Sequence, residues 1–265
     1  MSGFLAIFAV AVIVSAIGFK KYVWFISIGY GFSIAAIGLA LLCLYGAGAD
    51  AGLIIACVLF MMYGLRLGGF LTYREVKKSS YNKRMKSEIK DGKGMSFIAK
   101  CGIWISAALL YACEVSPVLF RLQNGKGTSG WVIAGIIIMA IGLVTETSAD
   151  VQKSLAKRER PGRFVDTGLY KLVRCPNYLG EMTFWTGVLL IGIGSNTGAW
   201  QWTAALLGYI GIIYVMFGGA RRLEMRQDRT YKDDPEYWAY KNKTPIMIPF
   251  IPLYSVAKYK WLVAR

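Results

Sequence analysis

The sequence predicts an all-α integral membrane protein of about seven transmembrane helices, with the N-terminus outside and the C-terminus in the cytoplasm. Three observations predict it. Of the 265 residues 55% are hydrophobic and the mean hydropathy is +0.45, more apolar than an ordinary soluble domain. The apolar residues gather in long runs, most of them close to the roughly 20 residues a helix needs to cross a bilayer. The basic residues fall in alternate gaps between those runs.

The runs cover roughly 2–19, 22–45, 52–73, 96–120, 130–148, 179–196 and 199–219. The first has no basic start, and Lys20 and Lys21 follow it where a leader would carry a small-residue cleavage site, so it is expected to be a spanning helix. The second holds neither Gln nor Glu; the third is broken up by Gly64, Gly68 and Gly69 and carries Arg66. The fourth contains Glu114 and the fifth ends near Glu146. The sixth is short and is expected to draw residues from the preceding "PNYLGE". The seventh gives way to ten Lys and Arg from residue 221 onward. Eight basic residues lie within 74–93 and seven within 153–174, whereas 46–51 and 195–198 hold none and 121–129 holds Arg121 and Lys126. An excess of Lys and Arg marks the cytoplasmic loops, which sets the orientation. The net charge of +16 is therefore a topology signal. Nucleic acid is not an expected partner, since no soluble domain carries the charge.

Cys43, Cys57, Cys101 and Cys113 lie in apolar runs, with no CxxC pair and no metal-ligand spacing, and read as small packing residues. No metal is expected. The chain has no His, which removes Ser-His-Asp hydrolysis and HExxH zinc chemistry. Proton chemistry is left to Tyr, Lys, Cys or carboxylates. Ionisable residues at membrane depth are expensive and mark function; here they are Arg66, Glu114, Glu146 and Glu181. Glu114 lies nearer the outer face and reads as an interhelical contact. The other three sit toward the cytoplasmic ends of their helices, level with the basic loops.

In "FMMYGLRLGGFLTYREVKKSSYNKR" (60–84), Tyr63, Arg66 and Phe70 recur at helical spacing, and Tyr73, Arg74 and Tyr81 continue into the loop. The glycines let another helix or a flat ligand approach the backbone. In "ETSADVQKSLAKRERPGRFVDTGLYKLVRCPNYLGEMTFW" (146–185), Asp150, Lys157, Arg158, Arg160, Arg163, Lys171 and Arg174 crowd around a Pro-Gly turn. Asn177 reads as the N-cap of the sixth helix, with Glu181 one turn in. Helix N-termini attract anions and guanidinium groups suit phosphates, so this stretch is a candidate pocket for a phosphorylated, adenine-bearing cofactor.

"GLYKLVRCPNYLGEMTFW" resembles the C-terminal signature of the steroid 5α-reductase family and its bacterial relatives: Gly168, Leu169, Tyr170, Arg174, Pro176, Asn177, Tyr178, Gly180, Glu181 and Trp185. Cys175 stands where that signature has His. "RLGGFLTYR" resembles the family's third-helix motif, "ADVQK" its fifth-helix exit, and Glu224, Tyr237, Tyr240 and "IPF" its C-terminal tail. The resemblance covers 146–190 well and 60–250 loosely. It implies a single membrane domain over 1–265, with 146–265 carrying the cofactor-binding half. NADPH lies in the basic cytoplasmic mouth, and the chain is a monomer among membrane lipids, in a bacterial inner membrane. A lipophilic conjugated ketone, a steroid or related lipid enone, enters from the bilayer and has its C=C bond reduced by hydride transfer. Carried over residue by residue, Tyr63 and Glu181 are catalytic. Arg66, Tyr73, Arg74, Asp150, Lys157, Arg160, Arg163, Arg174, Asn177, Tyr178, Glu181, Trp185, Glu224, Arg226 and Tyr237 face the cofactor.

The resemblance also implies a Gln-Glu pair in the second helix, which this chain lacks. The carbonyl anchor is then Tyr63, Tyr30 or an acid from elsewhere, or the substrate is not a 3-ketosteroid. Isoprenylcysteine carboxyl methyltransferases, which use S-adenosylmethionine, carry a similar Arg-His-Pro-x-Tyr-x-Gly stretch and are the alternative class. Asn177, Asp150 and the third-helix motif favour the reductase.

Overall fold

The computed structural model describes residues 1–77 and 94–262, without the side chain of Lys77; the basic stretch from residue 78 to 93, Tyr81 included, lies outside the described residues. Among the described residues regular structure is helical throughout. In chain order the helices are α1 (Ser2–Ser15), α2 (Ile28–Tyr45), α3 (Ala51–Lys77), α4 (Phe97–Gln123), α5 (Gly130–Glu159), α6 (Pro176–Ile191), α7 (Gly198–Thr230) and α8 (Pro235–Lys243). Tight helical turns over Ala16–Phe19 and Tyr22–Ile26 join α1 to α2.

Each apolar run becomes a helix, and the structure adds what hydropathy alone misses. α5 and α7 continue well past their apolar runs, to Glu159 and Thr230, as charged extensions. At 1.5 Å per residue, the 30 residues of α5 span about 45 Å, longer than a hydrocarbon core of about 30 Å. Among the described residues six helical stretches are long and apolar enough to cross a membrane: Ser2–Phe19, Tyr22–Gly48, Ala51–Val76, Phe97–Gln123, Gly130–Glu159 and Gly198–Thr230. The expected seventh, α6, has 16 residues, about 24 Å, and is not among them. It does draw on "PNYLGE", starting at Pro176.

Helix ends follow local chemistry. The Ser96 hydroxyl accepts from the Ala99 amide at 3.2 Å to open α4. Asp234 accepts from the amides of Glu236 (2.9 Å) and Tyr237 (3.2 Å), and Pro235 takes the first turn of α8, where its missing N–H costs nothing.

The chain forms two compact units, Met1–Ile136 with Val188–Tyr209, and Ile137–Gly187 with Ile210–Arg265. In the first, α2 and α3 meet backbone to backbone. A Cβ added at Gly64 would lie 2.3 Å from the Gly31 carbonyl oxygen, and one at Gly31 would lie 2.6 Å from the Gly68 nitrogen. Small residues permit this approach, as is common between membrane helices. Arg121 closes one end of this unit, donating to the carbonyls of Gly127 (2.8 Å), Ile191 (2.9 Å) and Ile193 (3.1 Å). Asp50 binds the Thr128 backbone and hydroxyl and the Leu53 amide. Although desolvation works to raise it, those hydrogen bonds and the Arg121 charge hold the Asp50 carboxyl below its usual range. Glu114 is buried, and α7 packs Gly208 against the backbone of Cys113 and Glu114.

In the second unit α5 and α6 cross as closely. A Cβ at Gly180 would meet the Glu146 nitrogen at 2.5 Å, and one at Gly142 the Phe184 nitrogen at 2.4 Å.

A buried charge cluster at the signature segment

The stretch from Gly168 to Trp185 folds as a tight turn (Gly168–Lys171), an extended link, and α6. Gly168 takes a φ of +60°, a conformation that favours glycine, and the Leu169 amide donates to the Gln152 side chain at 2.9 Å. Tyr170 donates to the Ala149 carbonyl at 3.2 Å; burial, then the nearby Asp150 charge, pushes its hydroxyl above its usual range. Asn177 is not the N-cap. α6 begins at Pro176, whose fixed φ and missing N–H suit the first helical position, which puts Asn177 second. Just before the helix, Cys175 is pushed up to about 11 by burial, so at neutral pH it is a thiol.

Arg174 is the centre of the arrangement. Its side chain is 1% exposed and pairs through Nη2 with Glu224 Oε1 at 3.3 Å. Glu224, 0% exposed, also takes Lys241 Nζ at 3.0 Å, and its Oε2 accepts from the Val256 amide at 2.9 Å. Lys241 reaches Asp228 at 2.7 Å, and the Tyr237 hydroxyl donates to Asp228 at 2.6 Å. Burial, followed by the hydrogen bond to Asp228, raises Tyr237 above its usual range. Two positive and two negative side chains thus cancel, as burial demands.

An extended strap, residues 244–262, binds this cluster to the signature. Arg174 N–H donates to the Pro245 carbonyl and Cys175 N–H to that of Ile246, both at 2.9 Å, while the Arg174 guanidinium also donates to the Tyr254 carbonyl. Even so, Arg174 Nε and Nη1 and the side-chain oxygen of Asn177 are buried with no hydrogen-bond partner among the described residues. Orphaned buried donors and acceptors are rare, and each calls for a ligand, a water or strain. Two unused guanidinium donors and, three residues further along the chain, an unused amide acceptor are the groups that an anion also carrying an N–H or O–H group could use.

The structure places the other sequence-expected residues as follows. In the second unit, Glu181 and Trp185 are buried on α6, Tyr178 packs its ring against Gly219, and Asp150 is half-buried on α5. Lys157 donates to the Arg163 carbonyl and, at 2.9 Å, to Tyr231. Arg163 pairs with Glu236 and Asp166, which raise its already high pKa, while Arg160 and Arg226 are exposed. In the first unit, Tyr63 is fully buried with its hydroxyl 2.9 Å from that of Tyr30. Arg66 is half-buried, Tyr73 exposed, and Arg74 lies over the Phe70 ring at 5.6 Å. Arg74 also lines a small cleft with Lys21, Trp24, Ser27, Leu71 and Glu75.

Sequence reasoning missed Lys241, Asp228 and the strap. The first two had a signal: Glu224 and Asp228, and Tyr237 and Lys241, are each four apart, on one face of a helix. The strap's backbone contacts had none.

These features define an all-helical membrane protein whose signature segment builds a buried charge cluster with spare hydrogen-bonding capacity. The chain belongs to the family described as protein of unknown function DUF1295, whose profile matches residues 11–244. It is similar to steroid 5-alpha-reductase DET2 of Gossypium hirsutum, 27% identical over 154 residues, covering 50% of this chain and 54% of that one. It is also 30% identical over 89 residues to the probable O-methyltransferase ustE of Ustilaginoidea virens, covering 32% of this chain and 31% of that one. The chain thus spans about half the length of the first relative and a third of the second. No solved structure matches it.

Proposed function

We propose that this protein reduces the C=C bond of a lipophilic conjugated ketone with NADPH. In this reading seven helices cross a bacterial inner membrane, α6 included, with the cofactor site facing the cytoplasm and the chain working as a monomer. The observation that carries the reading is the set of orphaned polar atoms at Arg174 and Asn177, at the segment that resembles the reductase signature. The identity to the plant steroid 5-alpha-reductase supports it.

The cofactor, when bound, supplies the hydride. The chain's own work is binding, orientation and charge stabilisation. Arg174 offers Nε and Nη1 to phosphate oxygens, and exposed Arg160 and Arg226 with half-buried Lys157 supply the positive field a dinucleotide phosphate needs. Arg163 serves the same end once Glu236 releases it. The Asn177 oxygen accepts from an amide or hydroxyl of the ligand, and Glu181 accepts a second such bond. Asp150, Tyr178, Trp185, Glu224 and Tyr237 hold these groups in place. Arg66, Tyr73 and Arg74 extend the cofactor contacts. Tyr63, steadied by Tyr30, donates to the substrate carbonyl as negative charge develops on its oxygen. A phenol does this without a carboxylic acid, which fits a second helix that has none.

The identity to the probable O-methyltransferase supports a second reading, methyl transfer from S-adenosylmethionine in the same pocket. Mass spectrometry of small molecules released from the purified protein, followed by assay of lipid enones with NADPH, separates the two. Released NADP(H) and enone-dependent NADPH oxidation are expected; released S-adenosylmethionine or its demethylated product would replace the reductase by the methyltransferase.

A further inference from the structure

The strap carries aromatic side chains that the charge cluster does not use. Residues 248–251 form a tight turn in which the Ile251 amide reaches the Ile248 carbonyl at 3.4 Å. Pro249 takes the second position, and Phe250 the third, with a φ of +65°. A turn of this kind favours glycine at the third position, and a bulky residue there is strained. Phe250 stands there all the same, 97% exposed. The base of the turn is fixed. Ile246 and Met247 are buried, the Cys175 amide donates to the Ile246 carbonyl at 2.9 Å, and the Ile246 amide donates to the Leu253 carbonyl at 2.8 Å. Prolines at 249 and 252 stiffen what projects. The result is a rigid prong with Phe250 and Ile251 at its tip.

A second aromatic lies further along. Trp261 is 67% exposed and rests on α7, where the Tyr214 hydroxyl donates to its carbonyl at 2.7 Å and the two rings stack 6.2 Å apart. Tyr214 belongs to the apolar run of α7 and shares it with exposed Ile210 and Val215, a face suited to lipid. Two turns later Arg221 and Arg222 begin the charged extension. Trp261 therefore sits on the last turns of the apolar stretch of α7, about two turns before its charged extension. Lys243 at the end of α8 and Lys258 and Lys260 in the strap are exposed, and Lys258 lies over the Tyr259 ring at 5.1 Å. Trp and Tyr at a membrane boundary, with Lys reaching to headgroups, form an interfacial anchor, and basic residues there favour anionic lipid.

We propose that residues 248–261 are such an anchor: Phe250 and Trp261 enter the boundary between headgroups and acyl chains, and the lysines meet anionic phospholipid. The lipid is the bilayer leaflet at the C-terminal end of α7. The two anchoring points bracket Tyr254 and Val256, whose backbone holds Arg174 and Glu224. Lipid contact would thereby steady the charge cluster, whatever ligand that cluster takes.

The test replaces Phe250 or Trp261, one at a time, with photoreactive p-benzoylphenylalanine. The full chain is placed in phosphatidylcholine vesicles with and without phosphatidylglycerol. Both positions are exposed, so the fold is undisturbed. Irradiation followed by mass spectrometry is expected to find lipid adducts at both positions, several times more abundant with phosphatidylglycerol. The same group at exposed Asp233 is expected to find none. Adducts to protein alone, or lipid adducts no more frequent than at Asp233, overturn the anchor. Equal yields in the two lipids overturn the role of the lysines.

Discussion

Around Tyr63, in the first unit, two helix backbones touch through Gly31, Gly64 and Gly68, and two neutral phenols meet at 2.9 Å. Around Arg174, in the second, four charged side chains are held by helix ends and by a strap that is non-helical up to its last turn, Lys260–Leu262. The first arrangement costs less to bury, since its two hydroxyls share a hydrogen bond and leave one O–H donor for a further partner. The second is expensive to dry out and stays only because every charge has an opposite. The first region is thus built for an apolar ligand that needs one hydrogen bond. The second is built for a ligand that brings charge of its own.

That contrast can be broken at several points. The largest effect is expected from Glu224→Ala, which leaves Arg174 and Lys241 buried with their shared partner gone. The cost of breaking a buried pair in this way is about 3–5 kcal/mol, and thermal unfolding of the solubilised protein checks it. Next come the glycine contacts. Gly64→Ala forces a Cβ to 2.3 Å from a backbone oxygen and Gly180→Ala one to 2.5 Å from a backbone nitrogen, and each should lose about 1–3 kcal/mol. Gly69→Ala, with no described atom within 4 Å, should cost nothing measurable in the same assay. Equal melting temperatures for all three would mean that the helices do not touch as described.

Asn177→Ala and Glu181→Ala sharpen the functional side. Each is expected to abolish retention of NADPH while the solubilised protein keeps its helical circular dichroism. Tyr63→Phe is expected to leave NADPH binding intact, to cost about 0.5–1.5 kcal/mol for its lost hydrogen bond, and to lower kcat with an enone. Reduced NADPH affinity in that variant would place Tyr63 in the wrong role.

The smallest effect is one of pH. Burial raises Cys175 from 9.0 to about 11, and raises Tyr237 and Tyr240 as well. A folded-state pKa above the unfolded one means that folding favours the protonated form. The Cys175 contribution is therefore complete below about pH 9 and disappears as pH rises toward about 11. Unfolding temperature should fall across that window, and less steeply in Cys175→Ala; a flat profile would show that the thiol is not buried as described.

Much of the first unit could be read from residues in order, because apolar runs and glycines act through local periodicity. Arg66, Glu146 and Glu181 stood out by their depth alone. The second unit was harder to read. Arg174 and Glu224 are fifty residues apart, and Lys241 joins them from a helix that no apolar run announced. The strap binds through backbone N–H and C=O groups, which every residue possesses, so no side-chain pattern reveals it. The cap assigned to Asn177 failed for a simpler reason. Proline's preference for the first helical turn moved the helix start by two residues, from Tyr178 to Pro176.

Equilibrium binding of NADPH and of S-adenosylmethionine to the wild-type protein and to Asn177→Ala tests the account at its centre. Wild-type protein is predicted to bind NADPH at micromolar concentrations, with S-adenosylmethionine much weaker, and Asn177→Ala to bind neither well. NADPH binding that survives Asn177→Ala unchanged, or tighter binding of S-adenosylmethionine, would contradict it.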